Sequence, residues 1–161
     1  MASIENTFTG AGTKIEVSSV LPAIISPATT PYTQDSYEAV TGLLEVGNVT
    51  AIGDITKQFQ DVVVQTLADG HTMHLKGGVD IPAVQLTIAR DSTDAGLELI
   101  NQYLDLTSSL TVKVTLSDTT VLWFTAKVMS VATSPGDNST VVGANTSLQF
   151  YSKSAVTVLP V

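Results

Sequence analysis

A chain of 161 residues with 43% hydrophobic residues is long enough to bury a core without cross-links, and one domain spanning 1–161 is the expectation. It contains no cysteine, which excludes disulfides, thiolate nucleophiles and cysteine-based zinc sites. The net charge is −8, from seven Lys+Arg against fifteen Asp+Glu, and the basic residues stand singly: Lys14, Lys57, Lys76, Arg90, Lys113, Lys127 and Lys153. Such a surface cannot track a phosphate backbone and repels DNA.

No run approaches the roughly 20 apolar residues of a membrane span, so a soluble protein is expected. The opening "MASIENTFTGAGTK" carries Glu5 where a secretory signal carries positive charge, which predicts intracellular synthesis. Abundant Thr, Val and Ser point to a mainly β fold. "TKIEVSSVL" (13–21) alternates Ile15 and Val17 on one face, and "SPATTP" (26–31) interrupts regular pairing. "YEAVTGLLEVGNVTAIG" (37–53) reads as a long strand bent at Gly42 and Gly47.

From 54 to 78 the chain reads "DITKQFQDVVVQTLADGHTMHLKGG", a hairpin-like excursion with a turn at Asp69-Gly70. A segment this long is uncommon inside a compact domain unless it binds something, and its apolar content marks it as an interface. "IPAVQLTIA" (81–89) follows as a strand with Val84, Leu86 and Ile88 on one face. Then comes one helix, whose Leu97, Ile100 and Leu104 form an apolar stripe. "LTVKVTLSDTTVLWFTAKVMSVAT" (110–133) reads as a hairpin turning at 117–119, "SPGDNST" (134–140) as a loop, and 147–160 as a last strand or two.

Candidate chemistry is sparse. Asp91 and Asp94 precede the helix, where carboxylates accept hydrogen bonds from its free N–H groups and favour its positive end, so both are assigned to the helix N-cap. As a catalytic pair they would need a partner acid or base, and no neighbour in sequence supplies one. His71 and His74 in "HTMH" fall on opposite faces of an extended segment and are too few for a metal site. "GAG" at 10–12 lacks the third glycine and preceding strand of a dinucleotide fingerprint. On a strand, Trp123 and Phe124 place one ring inward and one outward, which suits core packing plus a subunit contact better than a sugar platform. No catalytic residue, metal or cofactor is assigned.

The order of elements nevertheless resembles a family. "EVGNVTAIGD", "HLKGG", "ARDSTDAGLELI" and "VKVTLSDTTVLWFTAKVMSV", within a match covering nearly the whole chain, resemble the tail tube (major tail) proteins of long-tailed, non-contractile bacteriophages. The resemblance implies a β-sandwich or partly open β-barrel with one flanking helix, related to contractile-tail and type VI secretion tubes. It implies a non-enzymatic virion protein of the tail, assembled in the host cytoplasm, whose hexameric rings stack into a hollow tube that conducts DNA. Ring closure would remove the exposed sheet edges of an isolated sandwich.

The implied partners are other copies of the chain, the tape measure protein, the tail terminator and tail-tip proteins, with DNA passing through unbound and no membrane involved. The 56–78 segment becomes the long inter-subunit loop, mobile before assembly, with Phe59, Val62, Val63, Leu67, Met73 and Leu75 as its buried contacts. Residues 1–12 and 155–161 become the terminal arms. Asp80, Asp118 and Asp137 become the lumen-facing acids that repel DNA. Two alternatives stand beside this reading: a tube protein of a contractile tail or phage-derived particle, and a carbohydrate-binding β-sandwich module.

Overall fold

The computed structural model describes residues 10–23, 32–68, 70–151 and 154–160. Ten strands and two helices are set out there: β1 (Lys14–Ser18), α1 (Gln34–Glu38), β2 (Leu44–Val46), β3 (Val49–Ile52), β4 (Gln58–Gln65), β5 (Thr72–Asp80), β6 (Val84–Ala89), α2 (Ala95–Leu104), β7 (Leu110–Thr115), β8 (Val121–Ser134), β9 (Gly143–Phe150) and β10 (Val156–Val158). The protein is mainly β, as its composition predicts.

Eight strands form one antiparallel sheet in the order β2-β1-β7-β8-β9-β6-β3, with β10 attached to β8. The long β8 joins two limbs. Its first half pairs with β7 on one side and β10 on the other, and from Ala126 onward it pairs with β9. A register shift between Val128 and Ser130 bends the strand there. Alternation drives the collapse: Ile15 and Val17 of β1, Val112 and Val114 of β7, Val84, Leu86 and Ile88 of β6, and Leu148 and Phe150 of β9 meet in one core. Phe124 joins them from β8 and stacks on Phe150 with ring centroids 4.4 Å apart.

The flanking helix α2 lies over β1, β2 and β8 and buries Leu97 and Ile100. Leu104 is not part of the buried stripe. It is exposed, and Tyr103 packs against the core in its place, because the last turn runs off the sheet before the C-cap at Asp105.

Three local expectations change. Residues 37–53 are not one bent strand: Tyr37 belongs to α1, and β2 and β3 are separated by Gly47 and Asn48, the latter at φ 53°. The added helix has a local cause. Thr33 and Ser36 form a reciprocal capping box, with Ser36 N–H donating to Thr33 Oγ1 and Thr33 N–H donating to Ser36 Oγ. This helix also explains why Trp123 and Phe124 are both buried rather than one facing outward. Trp123 lies against Tyr37 at 5.3 Å between centroids, so α1 covers the sheet face that alternation alone would leave open.

Candidate assembly interface

Among the described residues, strands β4 and β5 pair only with each other and form a two-stranded hairpin outside the main sheet. The hairpin-like excursion read in the sequence, assigned to 56–78 as the inter-subunit loop, is a paired ribbon whose second strand runs two residues further, to Asp80. Opposed residues share a face, so the register defines two surfaces. On one face Val62 opposes Leu75 and Val64 opposes Met73, an apolar block of four side chains. On the other, Phe59 opposes Val79, Asp61 opposes Lys76, and Val63 opposes His74.

Polar partners on that second face link across the strands. His74 Nδ1 lies 2.7 Å from Asp61 Oδ2, and the Lys76 ammonium sits 3.8 Å from the centroid of the Phe59 ring. Both contacts are open to solvent, where an ion pair or cation–π contact adds at most about 1 kcal/mol. Register shifts between Phe59 and Asp61, where Gly77 and Gly78 occupy the partner strand. A Cβ on Gly77 would stand 2.8 Å from Val62 Cγ2 and 3.0 Å from the Gln60 carbonyl oxygen, so the ribbon closes there only around glycine.

Phe59, Val62, Val63, Met73 and Leu75 are all exposed, and Leu67 at the tip is fully so at 103%. Gly70 turns the tip at φ +68°, with its N–H donating to the Thr66 carbonyl. Asp69 of the expected turn lies outside the described residues. A two-stranded ribbon with no third strand paired to it among the described residues is marginal in water. An apolar hairpin held away from the body is therefore a surface awaiting cover.

A second feature has no obvious sequence signal. Edge strand β3 and the following Gly53–Ile55 face the β7–β8 hairpin across a groove of about 480 Å³. Val49, Ile52, Ile55, Leu116 and Leu122 line it as half-buried extensions of the core. Only the curl of the sheet brings these distant segments together, which sequence periodicity cannot report.

The three acids assigned to a lumen do not converge. Asp80 closes β5 and accepts a hydrogen bond from Ile81 N–H at 2.9 Å. Asp118 lies in the β7–β8 turn and accepts from Thr120 N–H at 2.8 Å. Asp137 lies in the β8–β9 loop, where hydrogen bonds from Ser139 and Thr140 hold its carboxyl below the usual range. The last two sit at opposite ends of β8, about 40 Å of extended chain apart.

The aspartates before α2 divide their roles. Asp94 is the N-cap: its Oδ1 accepts from Gly96 N–H at 2.9 Å and Leu97 N–H at 3.2 Å, while Oδ2 accepts from Gly47 N–H at 2.8 Å. Asp91 is not a cap. It closes a turn one step earlier, accepting from the N–H and hydroxyl of Thr93, and these bonds lower its pKa. Residues 1–9 of the proposed N-terminal arm lie outside the described residues, and within 155–161 the strand β10 is already paired with β8.

No family model matches the chain, and no curated protein matches it. Solved structures do. A chain of the SPP1 tail tube superposes with a TM-score of 0.65 at 14% identity, covering 96% of this chain and 81% of that one. The tail of an empty GTA particle, solved with C6 symmetry, gives 0.60 at 9% identity with 100% of both chains covered. A chain of the sheath–tube complex of the PVC extracellular contractile injection system gives 0.65 at 7% identity, covering 98% and 95%. At these identities the shared property is the fold, which is the one found in tail tubes and tube-bearing injection particles.

Proposed function

We propose that this protein is the structural subunit of a hollow tail tube, polymerising as stacked hexameric rings that conduct phage DNA to the host. The observation that carries the reading is the β4–β5 hairpin, an apolar ribbon projecting from a fold shared over nearly its whole length with tube structures. Phe59, Val62, Val63, Leu67, Met73 and Leu75 are its contact residues with neighbouring copies. Residues 1–12 and 155–161 add secondary contacts within one domain, 1–161.

The role is non-enzymatic and uses no cofactor. The tape measure protein, tail terminator and tail-tip proteins are its partners in the virion tail, and the subunits assemble in the host cytoplasm without a membrane. Six copies of a chain with net charge −8 make a strongly acidic ring, with Asp80, Asp118 and Asp137 as lumen candidates. Repulsion then keeps DNA from adhering as it slides.

The contractile alternative keeps a specific support: the likeness to the PVC sheath–tube complex is as good as that to the SPP1 tail tube. Such a tube would bind a sheath subunit, and the non-contractile tube would not. A carbohydrate-binding module loses its stacking platform, because Trp123 and Phe124 are both buried. Sedimentation velocity across a concentration series, with and without tail-tip proteins, tests self-assembly. Large species growing with concentration or appearing on seeding are expected, with no retention of added DNA. A monomer under every condition contradicts the reading.

A further inference from the structure

We propose that the groove between β3 and the β7–β8 hairpin is the receptor for the hairpin tip of a second copy, with Leu67 as the inserted side chain. This rests on the assembly reading above and names the complementary surface on the partner copy. The groove, about 480 Å³, is lined by Val49, Ile52, Ile55, Leu116 and Leu122, with Gly10 and Thr13 at its rim; these apolar side chains pack on the core from one side and, among the described residues, lack cover on the other. Leu67 has the opposite defect, an apolar side chain 103% exposed at the end of a ribbon. Covering both removes apolar surface from water at two places at once.

The occupant is a second copy because the hairpin cannot fold back on its own groove. The chain leaves the groove rim at Ile55 and runs out along the eight residues of β4, which carries Leu67 about 25 Å away. Little like charge meets at this contact: the tip 66–70 carries one acid, Asp69, and the groove lining one, Asp54, the other residues of both being uncharged. Each copy carries one knob and one hole at different places, so the contact is heterologous. A heterologous contact propagates from copy to copy, closing into rings or running along a filament, and does not stop at a dimer.

The absence of cysteine from the chain makes cross-linking clean. The double variant Leu67→Cys with Leu116→Cys is assembled, oxidised and run without reductant. A ladder of covalent oligomers is expected, absent from the Leu116→Cys single variant and from dilute unassembled protein. Leu67→Asp provides the second readout: the concentration needed for assembly rises at least tenfold while circular dichroism and melting stay as in the parent, since Leu67 is fully exposed among the described residues. Tubes that form without the ladder, together with Leu67→Asp assembling at the parent concentration, overturn the receptor and leave the assembly reading intact. A disulfide between Phe8→Cys and Leu116→Cys in dilute monomer would give the groove to the chain's own N-terminal residues and overturn the proposal. Failure of the parent to assemble even when seeded contradicts the assembly reading and this proposal with it.

Discussion

Asp94 ties three parts of the chain with one carboxylate. It satisfies two orphan N–H groups of α2 and one of the β2–β3 connection, and this pulls the helix onto β2 so closely that a Cβ on Gly96 would lie 2.6 Å from the Glu45 carbonyl oxygen. Asp94→Ala should therefore cost about 2–3 kcal/mol in urea denaturation, a lost cap plus a lost long-range hydrogen bond. Asp91→Ala should cost distinctly less, because only Thr93 depends on it. The two aspartates look equivalent in sequence, and only the helix start at Ala95 separates them. A different signature belongs to Tyr37, whose hydroxyl donates to the Ser154 carbonyl at 2.7 Å. Burial pushes its phenol up to about 12, against the opposing influence of the Thr125 and Ser154 side-chain hydroxyls. The fold thus holds a proton that the unfolded phenol releases near pH 10. This stabilisation is complete below pH 10 and is lost as pH rises toward 12, by roughly 3 kcal/mol. Denaturation midpoints between pH 9 and 12 should fall less steeply in Tyr37→Phe than in the parent. Thr146 offers the converse test: its hydroxyl is buried and, among the described residues, finds no hydrogen-bond partner. Thr146→Val should leave stability unchanged or raise it by about 1 kcal/mol.

At the scale of elements, period-two alternation made β1, β6 and the β7–β8 hairpin legible, because one face of each meets the core. Where burial does not alternate, the sequence was less informative. Both faces of β4 and β5 carry apolar residues and both are exposed, so the hairpin-like form was legible from its turn while the strand bounds and register were not. The short α1 was missed for another reason: its five residues are set by the Thr33–Ser36 box and by Tyr37 docking on Trp123, not by helical periodicity. The glycine pair of "HLKGG", at the end of the excursion in sequence, lies within β5 and allows the ribbon to close. Gly77→Ala should disrupt the hairpin while sparing the body. The expected result is an unchanged core melting transition with faster hydrogen exchange confined to 58–80, because the ribbon shares no strand pairing with the main sheet.

For the whole molecule, composition and charge pointed to a β protein that neither spans a membrane by an apolar run nor grips nucleic acid, and the order of elements pointed to the tube fold. The curl of the sheet was out of reach, since it depends on β8 serving both limbs and bending near Met129. The groove between β3 and β7–β8 follows from that curl, so half of the proposed contact could be read in sequence and half could not. The central claim is that this fold assembles through its hairpin. It is tested most directly by negative-stain electron microscopy of the full chain beside a variant in which 58–80 is replaced by a short glycine linker, both with tail-tip proteins as seeds. Hollow tubes are expected from the full chain, and folded, dispersed subunits from the variant. Tubes of equal length from the variant, or none from the full chain, would contradict that claim.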